Sequence, residues 1–206
     1  MNISLPIHVG AILFEGFELL DFFGPLEIFG LLEDRVRISV LAERAGAIKS
    51  SSGPCGMAET TMGDASEFDV LLIPGGIGTR QQMTNAEFLA GLKRLAEGAR
   101  IVATVCTGSL LLARTGLLDG RKATSNKRVF HFVKSNAPAV RWIAKARWVE
   151  DGRYFTSSGV SAGMDMTLAV IAKLCGREKS LEIAIRAEYE WHEDSWWDPF
   201  AAGVEV

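Results

Sequence analysis

The chain has 206 residues, of which 48% are hydrophobic and 23% are charged, and its formal net charge at pH 7 is −3. These values are ordinary for a globular protein, and the length predicts a single domain over residues 1–206. The weakly acidic balance argues against a nucleic-acid partner. No apolar stretch reaches the roughly 18 residues that a membrane span needs, and residues 1–6 lack the basic start of a signal peptide.

The number and spacing of the cysteines bear on the cellular compartment and on metal binding. There are three, Cys55, Cys106 and Cys175, widely separated and odd in number. This spacing fits neither a disulfide framework nor a set of metal ligands. We therefore expect a reduced, cytoplasmic protein without a metal site.

The first predicted strand is followed by a predicted helix whose apolar pattern is interrupted. Residues 7–13 form an apolar run typical of a buried strand, and residues 18–32 carry apolar side chains at three- and four-residue steps, which predicts a helix. Gly24 and Pro25 interrupt this pattern, so the regular helix is predicted to begin at Pro25 or to kink there. Asp21 would then lie between the first strand and the regular helix, where capping is its simplest role.

The rest of the chain alternates between strand and helix patterns. Strands are predicted at residues 36–42, 68–73, 101–105 and 122–124, hairpins at residues 47–61 and 146–157, and helices at residues 85–98, 129–134, 164–174 and 177–188. Cys55, in the first hairpin region, is predicted to be a plain loop residue, and Asn85 is the predicted N-cap of its helix. This alternation predicts an α/β fold, with a mostly parallel sheet covered by helices on both faces.

One strand-to-helix corner stands out. The β-branched run at residues 101–105 leads directly into Cys106, which small polar residues and a helical pattern follow. A nucleophilic side chain at such a corner is typical of a nucleophile elbow, and the adjacent helix N-terminus would favour a thiolate. The alternative is a buried structural cysteine, since free cysteines are among the most buried residues.

Three features fall at the carboxyl ends of predicted strands, where ligands of such sheets bind. They are Asp21, the pair Gly75 and Gly76 after Pro74, and Cys106. Together they offer an acid/base, backbone N–H groups for an oxyanion, and a nucleophile. We therefore predict Cys106 and Asp21 as catalytic residues, with Gly75 and Gly76 in an oxyanion site.

Four segments are similar to those of one known family: Ile73-Pro74-Gly75-Gly76, Val105-Cys106-Thr107-Gly108-Ser109, residues 116–124 and residues 158–165. They resemble the ThiJ/PfpI superfamily, and the similarity extends over nearly the whole chain. The resemblance implies a flavodoxin-like sandwich with the class I glutamine amidotransferase core and a homodimer.

Within that superfamily, residues 20–29 resemble the isocyanide hydratase branch, which also includes ligand-sensing domains of AraC-type regulators. The resemblance implies that a small-molecule isocyanide is hydrated to an N-substituted formamide. Cys106 would attack the terminal carbon, Asp21 would handle protons, and N–H groups near Gly76 and Thr107 would stabilise developing charge. No metal or organic cofactor is implied.

Two segments depart from the branch. Ser125-Asn126-Lys127 stands where the branch has Thr-His-Trp, and a tryptophan-rich segment separates Glu188-Tyr189-Glu190 from the final Asp198-Pro199-Phe200 run. Trp191, Trp196 and Trp197 in this tail are expected to line the pocket or a dimer contact.

Other functions remain open. A PfpI-type protease or amidase needs a histidine base after the cysteine, and Thr107 occupies that place. We expect His8, His131 and His192 to be structural or surface residues. A glyoxalase or deglycase shares the carboxylate–cysteine pair, and an accessible thiolate would also suit a non-enzymatic redox or ligand sensor. A regulator with its own DNA-binding domain is not expected, because no residues remain for it beyond the predicted core.

Overall fold

The computed structural model describes residues 5–65 and 67–204. The strands are, in chain order, β1 (Ile7–Ile12), β2 (Val36–Ala42), β3 (Gly46–Lys49), β4 (Cys55–Ala58), β5 (Thr60–Thr61), β6 (Val70–Ile73), β7 (Ile101–Thr104), β8 (Lys122–Ala123), β9 (Arg141–Trp142), β10 (Trp148–Asp151) and β11 (Tyr154–Ser157). The helices are α1 (Leu19–Gly30), α2 (Thr79–Gln82), α3 (Ala86–Gly98), α4 (Gly108–Arg114), α5 (Phe130–Asn136), α6 (Ala162–Cys175) and α7 (Arg177–Arg186). Short 3-10 helices span Glu33–Arg35, Lys127–Val129 and Pro199–Ala201.

A seven-stranded sheet forms the centre, in the order β10-β11-β7-β6-β1-β2-β5. All neighbouring pairs in it are parallel except β10 with β11. Every residue of β6 and β7 is buried, which is typical of parallel strands covered on both faces. The predicted mostly parallel sheet is confirmed.

The helices form two packed groups. Helix α6 packs against both α1 and α7, while α4 packs against both α2 and α3. The largest fully buried side chains are aromatic and include Phe17, Phe22, Phe29, Phe88 and Phe155. Helices on both faces of the sheet complete the predicted α/β architecture.

The first helix does not begin at Pro25, which was one of the two predicted outcomes there. Helix α1 begins at Leu19 and continues through Pro25 to Gly30. Proline inside a helix removes the hydrogen bond to the carbonyl four residues earlier, and its ring crowds that carbonyl. Burial of Phe22, Ile28 and Phe29 on both sides of Pro25 stabilises the continuous helix against that loss.

Other local predictions had mixed outcomes. The hairpin at residues 146–157 is confirmed as β10 and β11, joined at Asp151-Gly152, and Asn85 caps α3 by accepting a hydrogen bond from the Phe88 N–H. Cys55 is exposed as predicted, but it is the first residue of β4 rather than a loop residue, paired across the hairpin with Lys49. Helix α2 was not predicted, because four residues are too few to show a helical period.

The segment after α7 is anchored to the buried side chain of Asp165 in α6. The Asp165 carboxylate lies 2.6 Å from the Arg147 guanidinium and accepts hydrogen bonds from the Tyr189 hydroxyl and the His192 N–H, both at 3.0 Å. The Trp191 indole N–H donates to the Asp165 carbonyl at 3.1 Å. Trp191 is therefore a packing residue of the tail.

No helix within residues 5–65 and 67–204 has the length and apolar character needed to cross a bilayer.

We expect Asp165→Asn to lower the free energy of unfolding by about 3 kcal/mol, because the buried Arg147 guanidinium would lose the carboxylate at 2.6 Å and keep the more distant Asp198 carboxylate at 4.0 Å. Urea denaturation measures the change. Glu193→Gln is the control, since its ion pair with Arg177 is exposed and should contribute less than about 1 kcal/mol. Equal effects of the two substitutions would contradict the anchoring role of Asp165.

Candidate active site

The predicted elbow is present at Cys106. Strand β7 ends at Thr104, α4 starts at Gly108, and Cys106 between them has a φ of 57°, in the left-handed region that non-glycine residues rarely adopt. A Cβ on Gly108 would lie 2.3 Å from the Ile73 carbonyl oxygen, so the corner needs glycine to pack against the end of β6. The backbone thus holds the thiol at the carboxyl edge of the sheet.

Asp21 lies beside that thiol. It sits in the first turn of α1 and is completely buried, and its Oδ2 accepts a hydrogen bond from the Gly75 N–H at 3.0 Å. Its Oδ1 is buried and has no hydrogen-bond partner among the described residues. Capping as the role of Asp21 is wrong, because Glu18 occupies the N-cap position. The structure therefore places a carboxyl with one free oxygen against Cys106.

The predicted oxyanion donors lie near the thiol, but the N–H groups of Gly75 and Gly76 already donate hydrogen bonds within the protein. The Gly75 N–H holds Asp21, and the Gly76 N–H donates to the Thr107 hydroxyl oxygen at 3.1 Å. The Thr107 backbone N–H faces the Cys106 sulfur and lowers the pKa of that thiol. The two glycines therefore position Asp21 and Thr107, and the oxyanion role predicted for Gly75 conflicts with its bond to Asp21.

Asn126 is a site residue that the sequence analysis did not identify. Its Nδ2 lies 3.1 Å from the Cys106 sulfur, and its Oδ1 accepts the Arg128 N–H at 2.9 Å. The neighbouring Ser125 hydroxyl donates to the Cys106 carbonyl at 2.9 Å. The signal available in the sequence was that Ser125-Asn126-Lys127 stands where the isocyanide hydratase branch has Thr-His-Trp. The Asn126 amide, held at both its oxygen and its nitrogen, thus contacts the Cys106 sulfur.

Burial dominates the electrostatics of the pair. It raises the pKa of Asp21 to about 8, despite the hydrogen bond from Gly75. Burial and the nearby Asp21 charge also raise the pKa of Cys106 well above its usual range, against the lowering effects of Thr107 and Asn126. The helix N-terminus acts on the thiol as expected, because the Thr107 N–H lowers the pKa of Cys106, but burial and Asp21 raise that pKa by more. At neutral pH, Asp21 is protonated and can donate a proton.

A cavity of about 330 Å³ opens onto the thiol. Cys106, Thr107 and Asn126 line it together with the charged residues Glu18, Arg80 and Arg128. It adjoins a larger cavity of about 710 Å³, which shares the residues Asn126, Arg128 and Val160 and reaches the C-terminal segment. Such volumes suit small molecules.

The remaining predicted candidates do not line the Cys106 cavity. His131 and His192 are exposed and His8 is half-buried, in agreement with the prediction that they are structural or surface residues. Trp196 and Trp197 are more than half exposed and lie outside it as well. Within residues 5–65 and 67–204, no cluster of three or more His, Cys, Asp or Glu side chains is arranged to hold a metal ion.

Comparison with known proteins identifies the class to which this elbow belongs. Residues 8–173 match the DJ-1/PfpI family, and the chain belongs to that family. It is 32% identical to isonitrile hydratase of Pseudomonas putida, over 90% of this chain and 79% of that protein. It is 30% identical to the HTH-type transcriptional regulator GbdR of Pseudomonas aeruginosa, over 90% of this chain but 51% of the regulator. The crystal structure of a ThiJ/PfpI family protein from Pseudomonas syringae superposes with a TM-score of 0.80 and 29% identity, covering 97% of this chain and 81% of that one.

We expect Asp21→Asn to stabilise the protein increasingly as the pH rises from 4 to 8. The unfolded carboxyl ionises near about 3.9, whereas the folded one stays protonated to about 8, so wild-type stability falls across this window. The melting temperature of the variant should exceed that of wild type at pH 8 by about 4 °C or more and should approach it at pH 4. The exposed Asp34→Asn is the control, and a difference independent of pH would refute the buried, protonated carboxyl.

Proposed function

We propose that this protein catalyses the hydration of an isocyanide to an N-substituted formamide. The observation that carries the proposal is the buried, protonated Asp21 carboxyl against the Cys106 thiol, with Thr107 in place of a histidine base. The similarity to isonitrile hydratase over most of both chains supports the same reaction.

The first step joins the sulfur to the substrate. The Cys106 sulfur attacks the terminal isocyanide carbon while Asp21 delivers its proton to that carbon and takes up the thiol proton in exchange. The product is a thioimidate on Cys106 and a carboxyl that is protonated again. Only Oδ1 of Asp21 is free of protein partners among the described residues, so this oxygen is the one that exchanges protons.

Water completes the reaction. It attacks the thioimidate carbon, and Asp21 passes a proton from the water to the nitrogen. The tetrahedral intermediate then loses its carbon–sulfur bond, and the hydroxyl proton returns to the Cys106 sulfur through Asp21. The formamide leaves with the atoms of one isocyanide and one water. Asn126 and the Thr107 N–H stabilise negative charge on the sulfur whenever it is a thiolate.

The site argues against two of the alternatives. A peptidase or amidase of this family needs a histidine beside the nucleophile, and none lines the Cys106 cavity. A redox sensor needs an accessible, low-pKa thiolate, whereas Cys106 is 6% exposed and its thiol pKa is raised. A glyoxalase or deglycase uses the same pair of groups, and no contact in the site favours it.

Turnover of cyclohexyl isocyanide tests the proposal. Wild type should form N-cyclohexylformamide, detected by mass spectrometry, and Cys106→Ala should form none.

Asp21→Asn should lose about 10²–10⁴-fold in kcat. Wild-type activity should decline as the pH rises above 8, because the Asp21 proton donor is then ionised. Cys55→Ala is the control, since Cys55 is exposed and outside the cavity. A folded wild type that turns over neither alkyl nor aryl isocyanides would sink the proposal.

Oxidation separates the enzyme from the sensor. Under mild peroxide, the exposed Cys55 should gain oxygen before Cys106, because Cys106 is buried and protonated. Peptide mass spectrometry at increasing exposure times measures the order. Oxygen on Cys106 first would favour redox sensing instead.

A further inference from the structure

Two arginines, Arg80 and Arg128, are among the residues that line the cavity next to Cys106. Arg80 comes from α2, after β6, and Arg128 comes from the 3-10 helix Lys127–Val129. They reach one cavity from two separate elements. Within residues 5–65 and 67–204, no carboxylate lies within ion-pair distance of either guanidinium.

Both arginines are placed by contacts within the fold. The Arg80 guanidinium lies 5.1 Å from the centre of the Phe132 ring, in a cation–π contact. The Arg128 N–H is bound to the Asn126 side chain, whose amide also donates to the Cys106 sulfur. The backbone of Arg128 is therefore connected to the nucleophile through one residue.

The charge of the cavity opposes that of the whole protein. Its charged lining consists of two arginines and Glu18, which gives 2 − 1 = +1, whereas the chain carries −3. Asp21 adds no charge at neutral pH because burial keeps it protonated. A positive cavity in a negative protein attracts and orients anions, and an arginine fork matches the two oxygens of a carboxylate.

We propose that Arg80 and Arg128 select substrates that carry a carboxylate a few bonds from the reacting carbon. The inference rests on the proposed function and names its substrate class as isocyano-carboxylates. The smaller cavity holds the isocyanide and the carboxylate. Apolar parts of the substrate extend past Val160 into the larger cavity, which Leu20 and Phe200 also line.

Isocyanoacetate and methyl isocyanoacetate form a matched pair, because they differ by one charge at the same position. Wild type should prefer the acid over the ester in kcat/KM by about tenfold or more, mainly through KM. The acid-to-ester ratio should fall about tenfold in Arg80→Gln or Arg128→Gln and should rise in Glu18→Gln. Arg141→Gln, an exposed arginine of β9 outside the cavity, should keep the wild-type ratio. A wild-type ratio near one, or a ratio unchanged in both arginine variants, would overturn the inference.

Binding separates this inference from the reaction itself. Calorimetry on Cys106→Ala, which cannot form the thioimidate, should show tighter binding of the acid than of the ester. Tighter acid binding without turnover by wild type would overturn the hydratase proposal and support selection of anions. Equal binding of the two compounds would overturn the selection of anions.

Discussion

Desolvation of the Asp21 carboxyl is the constraint on which the site depends. The side chain is completely buried, and it accepts a hydrogen bond from the Gly75 N–H. Burial without a cation favours the neutral form, so the carboxyl keeps its proton at neutral pH. The same burial raises the pKa of Cys106, so both groups hold their protons at neutral pH, and in the proposed reaction they exchange them when the sulfur bonds to the substrate. Desolvation of the Asp21 carboxyl destabilises the fold at neutral pH, as is common where function requires a strained or desolvated group.

The polar segment from Thr124 to Arg128 supports the other side of the thiol. Lys127 is buried, and its ammonium donates to the Thr124 hydroxyl and the Ala146 carbonyl, both at 2.7 Å, with the Asp198 carboxylate at 3.7 Å. Burial lowers the pKa of Lys127 to about 8, although Asp198 opposes this. These contacts fix the backbone on either side of Asn126 and connect it to the tail. Residues after Asp198 line the larger cavity. The Lys127–Asp198 ion pair therefore connects the segment that contains Asn126 to one side of that cavity.

The residues around the cavity form two groups: those beside the Cys106 sulfur, and the charged residues of the lining. In the proposed reaction, Cys106 forms the bond to the substrate, Asn126 stabilises the thiolate and Asp21 transfers the protons. Arg80, Arg128 and Glu18 line the cavity but contact no reacting atom in this scheme, and in the proposed selection they determine which substituent is accepted. A change of charge on the lining is therefore expected to alter substrate preference while leaving the proton transfers intact.

The sequence by itself determined the alternation of buried strands and helices, the elbow at Cys106 and the gathering of Asp21 and Gly75 at one sheet edge. These follow from local patterns, because burial on both faces and turn residues are visible in a few neighbouring positions. Tertiary structure alone decided that α1 continues through Pro25, that the Gly75 N–H is occupied by Asp21, and that Asn126 contacts the sulfur. It also decided the protonation of the pair, since desolvation depends on every atom packed around the two groups, and local sequence at a helix N-terminus cannot encode that environment.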